Sequence, residues 1–148
     1  MSESTTSFLF PDINVWLALT FDGHVHSQIA WDWLTNLSDQ PRFVFCRFTQ
    51  LGLLRLLSLD AVMGEDVMNQ TQAWHAYDRW LADERVEFLG EPAGLDDRFR
   101  SGTRLHHPAP KDWADSYLAA FAETAQVTLV TFDRGMKTKT KPIILIGA

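Results

Sequence analysis

Three aspartates of this chain lie far apart in sequence, and each stands where a predicted strand gives way to a helix or turn. They are Asp12 in FLFPDINVW, Asp115 in KDWADSYLAAFA and Asp133 in TLVTFDRG. The carboxyl ends of parallel strands form the edge at which open α/β sheets carry their sites. Converging carboxylates repel one another unless a hard divalent cation joins them, and Mg²⁺ or Mn²⁺ prefers oxygen ligands. The spacing therefore suggests a metal-dependent phosphodiesterase or phosphatase.

Each aspartate also has a local explanation that needs no metal. Asp12 and Asn14 are both residue types that cap helices well. Asp112 and Asp115 have the spacing of a capping box, with Asp112 at the N-cap. Asp133 begins Asp-Arg-Gly, which is a common turn composition.

Two patterns favour a functional role for the aspartates. Asp115 leads a row of small residues, Ala119 and Ala122, that suits close packing on a sheet and would hold Asp115 at its edge. Thr131 precedes Asp133 by two residues and therefore points to the same side of its strand. Its hydroxyl is predicted to orient a carboxylate or a metal-bound water. We therefore predict Asp115 as a metal ligand, and we assign Asp112 to helix capping.

Length and composition indicate one globular domain. The chain has 148 residues, of which 46% are hydrophobic and 22% charged, as is ordinary for a soluble protein. Its apolar runs are far shorter than the ~20 residues that span a bilayer, and its first ten residues do not resemble a signal peptide. The single cysteine, Cys46, excludes an internal disulfide and is predicted to be a buried structural thiol. We expect a cytoplasmic protein.

Charge is unevenly distributed along the chain. The net charge of −6 is unusual for an enzyme that acts on nucleic acid, because phosphate binding draws on Lys and Arg. Residues 60–97 hold ten acids and two bases, whereas residues 98–148 hold four acids and eight bases. This basic third contains Asp115 and Asp133, so an anionic substrate can be attracted locally. The alternative interpretation of any single basic residue is that it belongs to a solvated surface of uneven charge and binds no substrate.

Periodicity predicts strands alternating with helices, which is typical of a mostly parallel sheet covered by helices. The predicted strands are 7–10, 43–45, 86–89, 128–131 and 143–146. The predicted helices are 14 onward, 24–37, 49–59, 71–82, 95–103 and 113–125. The aromatic spacing of Trp74, Tyr77 and Trp80 predicts a core-facing stripe rather than a surface that stacks RNA bases.

The segments FLFPDINVWLAL, CRFTQLGLLRLLS, DWADSYLAAFA and LVTFDRG, in that order, resemble the four acidic-motif regions of PIN-domain nucleases. The similarity is closest to VapC-type toxin ribonucleases of bacterial toxin–antitoxin systems. It implies a three-layer α/β/α PIN-like fold with a mostly parallel sheet of about five strands, in one domain over residues 1–148. It places Asp12, Asp115 and Asp133 on metal-binding acids, and Asn14 and Thr131 on supporting polar positions.

The resemblance implies an Mg²⁺- or Mn²⁺-dependent endoribonuclease that hydrolyses phosphodiester bonds, possible targets being tRNA or rRNA. The family usually has a glutamate in its second motif, where this chain has Thr49-Gln50. Gln50 is neutral and a weaker ligand for Mg²⁺, although its carbonyl oxygen could still bind the ion directly or through water. We therefore include Gln50 among the candidate catalytic residues and expect one well-held ion.

The substrate and partners follow from the same similarity. Basic residues near the predicted site are candidates to grip RNA phosphates, chiefly Arg134, Lys137 and Arg104. His106 and His107 lie in a loop-like HHPAP segment without the helical spacing of a zinc site. The resemblance further implies a homodimer, a groove for a VapB-type antitoxin and no membrane association.

Two other classes of function remain open from the residues. A phosphoryl-transfer domain of the receiver type would need paired early acids, and a dehalogenase-like domain would need D-x-D where this chain has Asp12-Ile13-Asn14. Both of these phosphoryl-transfer types are disfavoured. The other class is a PIN-like scaffold that lost activity with its glutamate and mainly binds a protein partner.

Overall fold

Five short parallel strands form one sheet in the order β3-β2-β1-β4-β5. The computed structural model describes residues 7–38 and 40–147. The strands are β1 Phe8–Pro11, β2 Arg42–Phe45, β3 Val86–Phe88, β4 Thr128–Thr131 and β5 Ile143–Leu145. The helices are α1 Ile13–Thr20, α2 Ser27–Thr35, α3 Arg47–Leu57, α4 Asp60–Met63, α5 Gln70–Leu81, α6 Leu95–Ser101 and α7 Asp112–Ala125. Two 3₁₀ helices cover Gly64–Asp66 and Arg134–Thr138.

Helices cover both faces of the sheet, because successive side chains of a strand point to opposite sides. Leu9 and Val130 join a core with α1, α2, α3 and α5, whereas Phe10 and Leu129 join a second core with α6 and α7. Tyr77 belongs to the first core and is 2% exposed. The predicted three-layer fold with a parallel sheet of five strands is therefore confirmed. Among the described residues, none of the helices is long and apolar enough to cross a membrane.

The register of β1 against β4 decides which polar residues meet at the sheet edge. Pro11 is paired with Val130, so Asp12, which follows β1, and Thr131, which ends β4, lie side by side. The backbone N–H of Asp12 still donates to the Val130 carbonyl at 2.9 Å. Two residues more than a hundred positions apart are thus fixed at one edge by backbone pairing.

A close approach between α1 and α3 lies directly behind this edge. A Cβ atom added at Gly52 of α3 would lie 2.2 Å from Cδ1 and 2.6 Å from Cγ1 of Ile13. Ile13 follows Asp12 and is β-branched, so its side chain has little rotational freedom to move aside. Gly52 therefore lets α3 pack against the helix that Asp12 begins.

Of three local predictions, the one for Cys46 is confirmed and those for Trp74 and Asp112 are wrong. Cys46 is buried at the start of α3, as expected, and its backbone N–H donates to Thr49 Oγ at 3.0 Å. The predicted core position of Trp74 is wrong, since its side chain is 45% exposed. The capping role of Asp112 is also wrong: α7 begins at Asp112 itself, with Lys111 at the N-cap. A charge on a neighbouring element, described below, holds the Asp112 carboxylate instead.

Candidate active site

A threonine links two of the three aspartates. Thr131 Oγ donates a hydrogen bond to Asp12 Oδ2. Thr131 Oγ also accepts a hydrogen bond from the backbone N–H of Asp133 at 3.0 Å. Asp12 Oδ1 accepts from the Val15 backbone N–H at 3.0 Å, which caps α1. Asp12 therefore caps a helix and also faces the sheet edge, so the two interpretations of this residue are compatible.

Burial dominates the acidity of Asp12. Loss of solvent around its carboxyl raises the pKa to about 6, although hydrogen bonds from Thr131 and from the backbone of Val15 and Asn14 favour the ionised form. The neighbouring charge of Asp133 raises it further. At neutral pH the Asp12 carboxylate is therefore ionised in a buried environment that disfavours its negative charge.

Asp115 approaches the same edge from the first turn of α7. Burial, followed by the charges of Asp133 and Asp112, raises its pKa, while Lys139 lowers it. In the described part of the chain its carboxylate accepts no hydrogen bond, so both oxygens are open to a ligand. Asp133 is exposed and accepts the Gly135 backbone N–H at 2.8 Å through Oδ1, which leaves Oδ2 open. The charge of Asp133 raises the pKa of both Asp12 and Asp115.

Sequence reasoning missed an ion pair beside the aspartates. Lys139 Nζ bonds to Asp112 Oδ1, and Ser116 Oγ donates to Asp112 Oδ2 at 3.0 Å. Both interactions lower the pKa of Asp112. Lys139 thus places a fixed positive charge next to Asp115. The two partners are 27 residues apart, and no spacing in the sequence signals their contact.

Two predicted supporting residues make no described side-chain hydrogen bond to the aspartates. The side chain of Asn14 is exposed, and only its backbone amide bears on Asp12. Gln50 is 6% exposed, and its Oε1 accepts from Arg47 at 2.6 Å. It also lies beside the Tyr77 hydroxyl on the α5 side of the sheet. The roles of Asn14 and Gln50 in the site therefore stay predictions.

The cations predicted to bind substrate are accessible. Arg134 and Lys137 belong to the 3₁₀ helix after Asp133 and are exposed, as is Arg104 in the loop before α7. None of the three takes part in an ion pair with another described residue. His106 and His107 are also exposed, in agreement with their assignment to a loop.

The residues present suit a divalent cation in chemistry, although they are not closed around one. Within residues 7–38 and 40–147, no group of three or more His, Cys, Asp or Glu side chains is gathered tightly enough to hold a metal ion as it stands. The available donors are all carboxylate oxygens, the kind that Mg²⁺ and Mn²⁺ select. The raised pKa values of Asp12 and Asp115 show that like charges and burial disfavour ionisation there, and a cation would relieve both.

Comparison with known proteins agrees with this geometry. The PIN domain family profile matches residues 9–142. Ribonuclease VapC41 of Mycobacterium tuberculosis is 43% identical over 129 residues, which cover 84% of this chain and 88% of that protein.

Two solved structures share the fold at low identity. VapC20 of Mycobacterium tuberculosis, a Sarcin-Ricin loop cleaving toxin, superposes with a TM-score of 0.65 at 16% identity, covering 88% of this chain and 93% of that one. VapBC2 of Rickettsia felis, bound to a promoter DNA fragment, gives 0.61 at 15% identity, covering 93% and 96%. With a profile match along most of its length and a close relative in VapC41, the chain belongs to the PIN-domain family, among the VapC-type proteins.

Proposed function

We propose that this chain is a metal-dependent endoribonuclease that acts as the toxin of a toxin–antitoxin system and hydrolyses phosphodiester bonds in RNA. The observation that carries the proposal is the Asp12–Thr131–Asp133 connection, with Asp115 facing Asp133 from α7. Such a cluster of mutually repelling carboxylates is costly unless it serves a cation. The ribonuclease name of its VapC41 relative supports the choice of RNA as substrate.

The three aspartates share one task in this proposal, and Asp115 has a second. Asp12, Asp133 and Asp115 would hold Mg²⁺ or Mn²⁺ through carboxylate oxygens. The ion, when bound, supplies the positive charge that polarises the scissile phosphate and makes a water molecule more acidic. Thr131 fixes the Asp12 carboxylate by its hydrogen bond. Asp115, with its raised pKa and open oxygens, is suited to accept the proton of the attacking water.

We expect RNA cleavage with Mg²⁺ or Mn²⁺, none in EDTA, and a loss of about 100-fold or more in Asp115→Asn. The amide keeps the size of the side chain but removes the negative charge and the proton acceptor. The measurement is cleavage of total tRNA and of rRNA, with Asp97→Asn on the exposed surface of α6 as the matched control. Cleavage that is independent of metal, or equal in Asp115→Asn and wild type, would favour the PIN-like scaffold that only binds a partner.

Arg134, Lys137 and Arg104 are proposed to contact RNA phosphates. Their exposure and the local charge of +4 in residues 98–148, from eight bases and four acids, support this role. Arg134→Glu/Lys137→Glu should weaken RNA binding at least tenfold at low salt and flatten its salt dependence, because fewer counterions are released. Fluorescence anisotropy in EDTA measures this. An unchanged affinity would remove both residues from the RNA interface.

The proposed biological setting is a single PIN domain over residues 1–148, active in the cytoplasm, that forms a homodimer and is held inactive by a VapB-type antitoxin. The VapBC2 structure, which shares the fold, supports a protein partner of this kind. Sedimentation equilibrium of the purified chain, alone and with a co-expressed antitoxin, tests the assembly. A monomer that persists at micromolar concentration would argue against the homodimer.

A further inference from the structure

An exposed tryptophan stands at the start of α7, beside the candidate active site. Trp113 is 59% exposed, although indole rings are highly buried on average. It lines a hollow of about 360 Å³ with apolar walls. The other main contributors to this hollow are Thr103, Leu105, His107, Pro108 and Pro110.

A second hollow shares Trp113 and has a different character. It measures about 480 Å³, and its lining in addition to Trp113 is Asp96, Phe99, Arg100, Thr103 and Arg104. The Phe99 ring meets the indole at 70° with their centroids 6.1 Å apart, an edge-to-face contact that orders the exposed ring. An ordered ring loses little conformational freedom when a ligand binds to it.

Most residues of these walls come from the strongly cationic segment 98–111, and Asp96 and Asp112 complete them. Residues 98–111 contain four Lys or Arg and two His but no Asp or Glu. Arg98 and Arg100 are paired with Glu123 and Asp96. Arg104 and Lys111 are exposed and enter no ion pair with another described residue. This surface therefore places an aromatic ring next to available positive charge, within a protein whose net charge is −6.

The first hollow adjoins the aspartate cluster through a single residue. Asp112 is part of its wall, and the same carboxylate holds Lys139, whose charge acts on Asp115. Asp112 and Asp115 are three positions apart on α7, a spacing that makes them neighbours on the helix surface. The hollow therefore lies beside the candidate active site.

We infer that this surface is a base-binding subsite, in which an unpaired nucleobase of the RNA substrate stacks on Trp113 while Arg104 and Lys111 face the adjoining phosphates. The inference rests on the proposed function and specifies its substrate as single-stranded at this position. Single-stranded RNA alternates flat apolar bases with anionic phosphates, which matches aromatic and cationic groups lying side by side. An apolar peptide would match the hollow but not the surrounding positive charge, and a duplex would hide its base faces.

The test measures binding in EDTA, so that it does not depend on cleavage. The probes are fluorescein-labelled single-stranded RNA decamers and a blunt duplex of the same sequence. Trp113→Ala should bind the single strands about 5- to 100-fold more weakly than wild type, the range for loss of one base–aromatic stack. Trp113→Phe should recover most of the affinity. Trp74→Ala, which removes a tryptophan of similar exposure from α5, should have no effect.

Crosslinking separates direct contact from an indirect effect of the substitution. A decamer that carries 5-bromouracil should attach, on irradiation, to the peptide that contains Trp113. Wild-type affinity in Trp113→Ala, with the decamer still bound by the parent protein, would overturn the subsite and leave the proposed function standing. Unchanged RNA affinity with loss of a co-purifying protein would assign the hollow to a protein segment and likewise overturn it. A parent protein that binds no RNA would overturn the proposed function together with the subsite.

Discussion

Replacing Asp12 by asparagine should lower RNA cleavage by about 10³-fold or more while the protein stays folded. The amide keeps the shape of the side chain, and asparagine caps a helix about as well as aspartate, so the hydrogen bond to Val15 can persist. What is lost is the negative charge at the sheet edge, where Asp12 and Asp133 would face a cation. Several kcal/mol of transition-state stabilisation by a metal ion corresponds to a rate factor of this size.

The measurement for Asp12→Asn is single-turnover cleavage at saturating Mg²⁺, together with circular dichroism to confirm folding. Asp78→Asn is the matched control, since it makes the same chemical change on the exposed surface of α5. Cleavage by Asp12→Asn within threefold of wild type would exclude Asp12 from the catalytic site. It would leave helix capping as the only role of that residue.

The second expected result is that Asp12→Asn is more stable than wild type at neutral pH without metal. The pKa of Asp12 rises from 3.8 to about 6 on folding, so the folded state keeps a proton that the unfolded state releases. Between about pH 4 and pH 6 the wild-type protein therefore loses stability that a neutral amide does not lose. The full shift corresponds to about 2–3 kcal/mol.

Urea unfolding in EDTA at pH 4, 5, 6 and 7.5 measures the difference between the two proteins. The advantage of Asp12→Asn should be small at pH 4, should grow through pH 6 and should then level off. Adding Mg²⁺ at pH 7.5 should reverse it by stabilising wild type alone, because a ligand that binds only the folded state raises its stability. A difference that is constant with pH, or that shrinks as pH rises, would contradict burial as the cause of the raised pKa.

The sequence alone was enough for the strands and for the meeting of Asp12 with Thr131. Short apolar runs followed by polar residues predicted parallel strands, and parallel pairing brings the ends of β1 and β4 to one edge. The Thr131 hydroxyl was predicted to orient a carboxylate, and it donates a hydrogen bond to that of Asp12. These features depend on local periodicity and on the rule that the carboxyl ends of parallel strands meet at one edge of a sheet. They could therefore be predicted without knowing which distant residues are in contact.

Features that depend on how helices face one another escaped prediction. Gln50 contacts Arg47 and lies beside Tyr77, neighbours that the sequence did not indicate, and its role in the site stays a prediction. Asp112 looked like a cap by spacing, whereas Lys139 arrives from a 3₁₀ helix whose path no motif encodes. The exposure of Trp113 depends on the course of the preceding loop. The local sequence at the start of α7 does not predict this exposure.

The pairing of β1 with β4 also bears on when the site can exist during synthesis. Asp12 is synthesised well before its partners Thr131 and Asp133, which follow only after 118 and 120 further residues have been added. Contacts of such long sequence separation form late, because the intervening chain must be ordered first. A nascent chain that ends before Thr131 therefore lacks the assembled site, however well β1 and α1 have formed.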